Sequence, residues 1–468
     1  MAFLSCLASP ISRIRLSAGV VFLICLALSG CETGNDPARS AAPPNIIFIM
    51  ADDLGYGDLG CFGGEMISTP NVDQLAREGT RFTQFYSGSP VCAPARCVLM
   101  TGLHAGHARI RNNSPQEGGE LEQFGEGSRR LSLIGNEPTL ASVLKKGGYA
   151  TGISGKWGIG EPTSQATPTQ MGFDEWLGYL NQNHAPYYYT DFLWRNQEKM
   201  PIPENQNENR EVYSNDLMRD FALDFIRDQR GGSFFLYLPF TIPHALMEVP
   251  SLGEYAGRDW PEDAKIYAAM VSRLDGYVGD IVAELERLGL TKDTLVFFTS
   301  DNGAVGNDRT AFFESTAGMR GSKGTVYEGG LRVPLVAKWP GKVEAGGTNN
   351  TPWMFVDILP TLASLSGAPL PEYLDGVSLL PTILGKQQDD LSERFLYWEY
   401  PRRRLWQAGR KGKWKAVRYG IDGGMELYDL ESDPQEDRDV SSLHPELVLE
   451  FDKWFKTEHI PSPHWPVR

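Results

Sequence analysis

The sequence predicts an α/β fold, a sheet buried on both faces with helices between its strands, and three observations carry this. Four runs are almost continuously apolar: "NIIFIM" from Asn45, "YATGIS" from Tyr149, "FFLYLPF" from Phe234 and "TLVFFTS" from Thr294. Unbroken runs of this kind belong to strands covered on both sides. Segments with helical spacing and their own start and stop signals alternate with them. Each run also ends in polar residues: Asp52 and Asp53, Gly155 and Lys156, Pro243 and His244, Asp301 and Asn302. Open α/β sheets bind ligands beyond the carboxyl ends of their strands.

Taken in order, the chain opens with Arg13 and Arg15 before the apolar run "AGVVFLICLALSG", which ends at Cys31. That run is short for a membrane span and reads as an export signal over 1–30. Small residues directly before Cys31 fit a bacterial lipoprotein cleavage site, which would make the product periplasmic or surface-bound, anchored only through lipid at Cys31. Residues 31–43 are polar and Pro-rich, a tether. The main α/β domain is expected over 44–366. Within it, "TPNVDQLAREG" carries Pro70 at its start and Gly79 at its end, and "PTLASVLKKGG" repeats the plan with Pro138 and Gly147. Ile266, Met270, Leu274, Val278, Ile281 and Leu285 share one face of a long helix that covers the sheet. From Gly367 onward, "ERFLYWEY", "KWKAVRYG" and "MELYDL" read as short strands of an antiparallel sheet, closed by a helix in "HPELVLEFDKWFKTE". This forms a C-terminal subdomain over 367–468.

A length of 468 residues and an apolar fraction of 41% suit a large globular core. The net charge of −15 argues against nucleic acid, although local cations can still receive an anionic substrate. Beyond Cys31 only Cys61, Cys92 and Cys97 remain, too few for a disulfide framework. A Cys61–Cys97 bridge stays open, and a Cys92–Cys97 bridge would require that Cys92 have no other role.

Asp52, Asp53, Asp301 and Asn302 offer only oxygen donors, at the ends of strands far apart in sequence. Such a set suits Ca²⁺ or Mg²⁺, and the lack of Cys/His clusters argues against structural zinc. In "SPVCAPARCVLMTG" a helix starts around Cys92, with Pro94 in its first turn. A helix N-terminus with Arg96 beside it attracts anions.

"CAPAR" resembles the C-x-P-x-R signature of type I sulfatases. "PNIIFIMADDLGYGDLGCFGG", "GKWGIG", "PHA", "TSDNG", "RGSKGTVYEGGLRVPLVAKWPG" and "ELYDLESDPQEDRDV" are similar to further segments of that family, in its order, over about Pro44 to Val440. The resemblance implies a mixed, mostly parallel central sheet of the alkaline phosphatase-like kind. It implies that a maturase converts Cys92 to formylglycine, whose hydrate attacks the sulfur of a sulfate ester, on a sulfated carbohydrate. It further implies that Asp52, Asp53, Asp301, Asn302 and an oxygen of modified Cys92 hold Ca²⁺, with Mg²⁺ second. Arg96, Lys156 and Lys323 would bind the sulfate oxygens, and His244 or Lys323 would protonate the leaving alcohol.

One departure stands out. The family's lysine motif reads G-K-W-H-x-G, and Gly158 occupies the histidine's place. His184, in "NQNHAPYYYT", is the candidate replacement, among aromatic and amide residues suited to a sugar. Elsewhere, His104, His107 and Trp157 read as loop or packing residues and Glu328 with Arg332 as a structural ion pair. Arg109, Arg111 and Asn112 lie on a segment that can reach the pocket. "PRRRLWQAGRKGKWK" reads as a solvated basic surface or a contact to polyanionic substrate. Two rival activities fit the same residues: a phosphomonoesterase or phosphodiesterase, and a saccharide-binding surface protein without catalysis.

Overall fold

A computed structural model describes residues 42–121, 129–388, 391 and 393–467. The export signal, Cys31 and nearly all of the tether lie outside the described residues. Residues 42–468 form one compact unit.

The four apolar runs become neighbouring strands. Thr294–Ser300, Asn45–Ala51, Phe234–Pro239, Ala150–Lys156 and Glu175–Tyr179 lie side by side, all parallel, in the middle of an eleven-stranded sheet. Antiparallel pairs flank them, with Arg332–Lys338 and then Thr80–Tyr86 on one side and Phe192–Arg195 and Glu198–Pro201 on the other. Mixed and mostly parallel therefore describes it.

Burial explains the uninterrupted apolar pattern. Along Asn45–Ala51, Ile46, Phe48 and Met50 enter one core while Ile47, Ile49 and Ala51 enter another on the opposite face. A strand alternates its side chains between faces, so two buried faces leave little room for polar residues. The second core receives the helix Glu262–Arg287, which contributes Met270, Leu274, Val278, Ile281 and Leu285. Ile266 of the same face packs against that core while only partly buried.

The C-terminal segment holds a four-stranded antiparallel sheet, Phe395–Pro401, Leu405–Lys411, Trp414–Tyr419 and Met425–Asp429, and the helix Pro445–Glu458. Leu405–Lys411 falls inside the basic run: Arg402, Arg403 and Arg404 before it are exposed, as a solvated surface requires, whereas the strand itself corrects that reading. Arg410 and Lys415 are buried. Lys415 Nζ lies 2.8 Å from Glu328 and 2.9 Å from Glu436, while Arg332 reaches Glu328 at 3.6 Å. The Lys415–Glu328 pair joins the small sheet to the α/β core. Cys61, Cys92 and Cys97 are all free thiols, so neither open bridge forms.

Candidate active site

The site lies at the carboxyl edge of the central strands. Asp52 and Asp53 follow Asn45–Ala51 directly, and Asp301 and Asn302 follow Thr294–Ser300. Because these strands pair in register, Ala51 opposite Ser300, the two polar pairs emerge side by side. Backbone contacts stitch them: Asp301 N–H donates to Ala51 O at 3.0 Å, and Asp53 N–H donates to Asp301 Oδ1 at 3.2 Å. Asn302 Nδ2 donates to Asp53 Oδ1 at 2.8 Å. Asp53 takes φ 69°, a left-handed conformation that Asp tolerates better than most residues and that turns the chain straight after the strand.

Cys92 is the first residue of the buried helix Cys92–Thr101. Its Sγ lies 3.2 Å from Asp52 Oδ1, 3.9 Å from Asp53 Oδ1 and 3.4 Å from Lys323 Nζ. Burial, with Asp301 and Asp52 adding to it, pushes this thiol well above the ordinary range. As an unmodified side chain it is a neutral thiol and a poor nucleophile.

Three cations surround the acids. Arg96, one helical turn after Cys92, donates to Asp301 Oδ2 at 2.8 Å and to the Lys156 carbonyl at 2.7 Å, and its Nη2 lies 3.3 Å from Asp52. Lys156 Nζ lies 2.6 Å from Asp52 Oδ2, and Lys323 Nζ 2.7 Å from Asp53 Oδ2. His244 Nε2 stands 3.5 Å from Asp53, with its side chain 23% exposed. Burial alone would raise Asp52 and Asp53. The nearby cations outweigh it, Lys156 foremost for Asp52 and Lys323 for Asp53, and hold both below the ordinary range. Asp301 moves the other way, to about 6, through burial and the charge of Asp52.

The residues fit a hard divalent cation. Three buried carboxylates meet here, and the buried Asn302 Oδ1 has no hydrogen-bond partner. Asp52, Asp53, Cys92 and His244 each bring a ligand atom within 4.8 Å of the others. Oxygen donors dominate, as Ca²⁺ and Mg²⁺ prefer.

The structure thus gathers Asp52, Asp53, Cys92, Arg96, Lys156, His244, Asp301, Asn302 and Lys323. His184 lies apart from this cluster of contacts, buried between Tyr179 and Phe192 with Nε2 2.7 Å from Thr190 Oγ1. Gly158 shows why no side chain stands at its position. Its φ is +75°, and a Cβ there would come 2.3 Å from Gln182 Nε2. Gln182 is buried and donates to Gly158 O at 3.1 Å. The amide fills the space that a histidine at 158 would enter. Sequence reasoning missed Gln182, whose only signal was its place two residues before His184.

It also missed Asn113, whose Oδ1 accepts from Ala93 N–H in the first turn of the Cys92 helix at 3.0 Å. The neighbours named from sequence point elsewhere, Arg109 to Ser132 O, Arg111 to Glu399 and Asn112 to Pro401 O. His104 and His107 stack at 4.0 Å and meet Glu458 and Asp375, tying a loop to the C-terminal helix. Trp157 is buried, with its indole N–H on Ala166 O.

Residues 44–368 match the family model described as Sulfatase, and residues 321–449 the one described as N-sulphoglucosamine sulphohydrolase, C-terminal. The chain is 34% identical to N-acetylgalactosamine-6-sulfatase of Rattus norvegicus, across 88% of this chain and 80% of that protein. It is 35% identical to arylsulfatase A of Homo sapiens, across 88% and 82%. Among solved structures, Ps i-CgsB in complex with k-i-k-neocarrahexaose is similar at a TM-score of 0.76 and 29% identity, covering 91% of this chain and 95% of that one.

Proposed function

The chain belongs to the sulfatase family, and from that premise we propose that it hydrolyses sulfate esters of a carbohydrate through residue 92. The observation that carries this is the thiol of Cys92 at a helix N-terminus, within 3.4 Å of both an acid of the metal-type cluster and a lysine. The saccharide names borne by the relatives support a sugar substrate.

Converted to formylglycine and hydrated, residue 92 would supply a gem-diol as the nucleophile toward sulfur, with the sugar alcohol as the group that leaves. Asp52, Asp53, Asp301 and Asn302 would hold Ca²⁺, which supplies charge stabilisation at the sulfate oxygens. Arg96 and Lys156 sit where they can bind those oxygens, pre-oriented by Asp52 and Asp301. Of the two candidate acids, Lys323 is held protonated: burial would lower it, but the charge of Asp53 beside it outweighs this. His244 is pushed below its ordinary value by burial, so it is neutral near pH 7. This favours Lys323 as the donor to the departing alcohol. The N-terminal sequence supports export with a lipid anchor at Cys31, and the maturase is a transient partner.

The test is peptide mass spectrometry across residue 92 of protein co-expressed with a maturase, alongside turnover of aryl sulfate and aryl phosphate. We expect the mass of formylglycine, sulfate turnover well above phosphate turnover, and near-complete loss in Cys92→Ser. Unmodified cysteine with full turnover would refute the mechanism. Lys323→Ala should slow sugar sulfates far more than aryl sulfates with good leaving groups, because only poor leaving groups need the proton.

A further inference from the structure

The helix that begins at Cys92 has no cap of its own. The first N–H groups of a helix find no partner inside it, and the preceding residue ordinarily supplies one from a side-chain oxygen. That residue is Val91, extended at φ −145° and ψ 158°, whose apolar side chain packs in the core and offers no acceptor. Pro94 has no N–H to satisfy, and Ala95 N–H reaches Val91 O at 3.2 Å. Ala93 N–H is met from outside the helix, by Asn113 Oδ1 at 3.0 Å. A side chain twenty positions along the chain thus does the work of a local cap.

This contact bears on residue 92 directly. The Cys92 carbonyl and the Ala93 N–H belong to one planar peptide. Holding that N–H stops the plane from turning about the Cα–C bond of residue 92, and so anchors the backbone from which its side chain departs. Asp52, Asp53 and Lys323 contact only the far end of that side chain, at Sγ. Asn113 is held in turn. Its N–H donates to Asn112 Oδ1 at 2.7 Å, and Asn112 Nδ2 donates to Pro401 O in the small sheet at 2.6 Å. The buried Arg130 donates to Asn113 O, to Ser114 Oγ at 2.7 Å and to Asn183 Oδ1 at 2.9 Å.

We infer that Asn113 is a positioning residue for the reaction: it fixes the peptide that follows residue 92 and thereby the aim of the nucleophile, without touching substrate. This rests on the sulfate-ester reading above. Two consequences separate it from a residue that only supports the fold. Arg96 and Lys156, placed to bind the sulfate oxygens, keep their own contacts, so losing Asn113 lowers kcat and kcat/KM together and leaves KM alone. The nucleophile serves every substrate, so good and poor leaving groups suffer alike, unlike the pattern expected of Lys323→Ala.

The experiment compares Asn113→Ala and Asn113→Asp with wild type, the aspartate keeping an acceptor for Ala93 N–H. Urea unfolding first establishes that each variant is folded, and Asn113→Ser replaces the alanine variant if that one is not. Rates are expressed per formylglycine measured by peptide mass spectrometry. Expected for Asn113→Ala is a loss of about tenfold in kcat on aryl and sugar sulfates alike, with KM within about twofold of wild type. Asn113→Asp should recover most of kcat. Amide exchange at Ala93, followed on protein with unmodified Cys92, should quicken about fivefold in Asn113→Ala and stay near wild type in Asn113→Asp. An unchanged kcat, a loss lying in KM, a loss confined to sugar sulfates, or an equal loss in Asn113→Asp would overturn the inference. Wild type without sulfate turnover, the exchange difference being intact, removes the catalytic reading alone. Turnover with no exchange difference removes the Asn113 assignment alone.

Discussion

At the scale of single residues, position 158 shows how a motif departs from its family and what fills the gap. Glycine there adopts φ +75°, and the Gln182 amide occupies the adjoining space. Gly158→His should therefore fail to restore anything. It is expected to cost about 1–3 kcal/mol in urea unfolding, from steric overlap and backbone strain, and to lower aryl sulfate turnover. Adding Gln182→Ala should recover part of the stability. His184 is governed by burial as well. Burial, and then Lys199, lowers its pKa to about 3, against an ordinary value near 6.5. Its folded-state pKa lies below the unfolded one, so the stability it contributes is present above pH 6.5 and lost as pH falls toward 3. Between pH 7 and pH 5 this residue accounts for about 2 kcal/mol of lost stability. His184→Phe, flanked by Tyr179 and Phe192, should flatten that part of the curve by the same amount in urea unfolding at the two pH values. Asp52, Asp53, Lys156, Asp301 and Asn302 were legible as strand ends and Cys92 with Arg96 as a helix start, whereas Lys323 was found only through the resemblance to the family's segment. Gln182 was not legible, since an uncharged amide in a loop carries no pattern.

Among the secondary-structure elements, legibility tracked burial. The central strands were readable because two covered faces leave few polar positions. Leu405–Lys411 was hidden by its own basic residues, since the distant partners of Arg410, Tyr86 and Gln84, and of Lys411, Glu450, leave no local trace. Lys415, on the neighbouring strand Trp414–Tyr419, is buried between Glu328 and Glu436. Burial, then Lys415, bears on both acids, and the two move apart, Glu328 down to about 2 and Glu436 up to about 7. Lys415→Met removes the lysine that lies between two buried carboxylates. Such losses cost about 3–5 kcal/mol, which should appear as a large drop in thermal midpoint. A triple change that also replaces both glutamates with apolar residues should recover much of it.

Across the whole molecule, the site joins strand ends, a helix start and a distant loop, so its ligands and its stability are linked. If the acid cluster holds Ca²⁺, adding the ion at one hundred times its dissociation constant should raise stability by about 2.7 kcal/mol. A thermal-shift titration would register this, and Asp301→Asn should blunt it. No shift with Ca²⁺ or Mg²⁺ would count against the metal assignment. The general architecture followed from the apolar runs and their polar ends, whereas the pairing order of the strands did not, because register is set by contacts hundreds of residues apart. One detail of the loop has a mechanical meaning. Lys323 N–H donates to Ala304 O, and the next residue, Gly324, donates to Pro90 O, both at 2.8 Å. Pro90 lies two residues before Cys92 on the same continuous backbone. The ammonium and the sulfur are thus clamped to a common mount, and breathing of the sheet would carry them together without changing the gap between them.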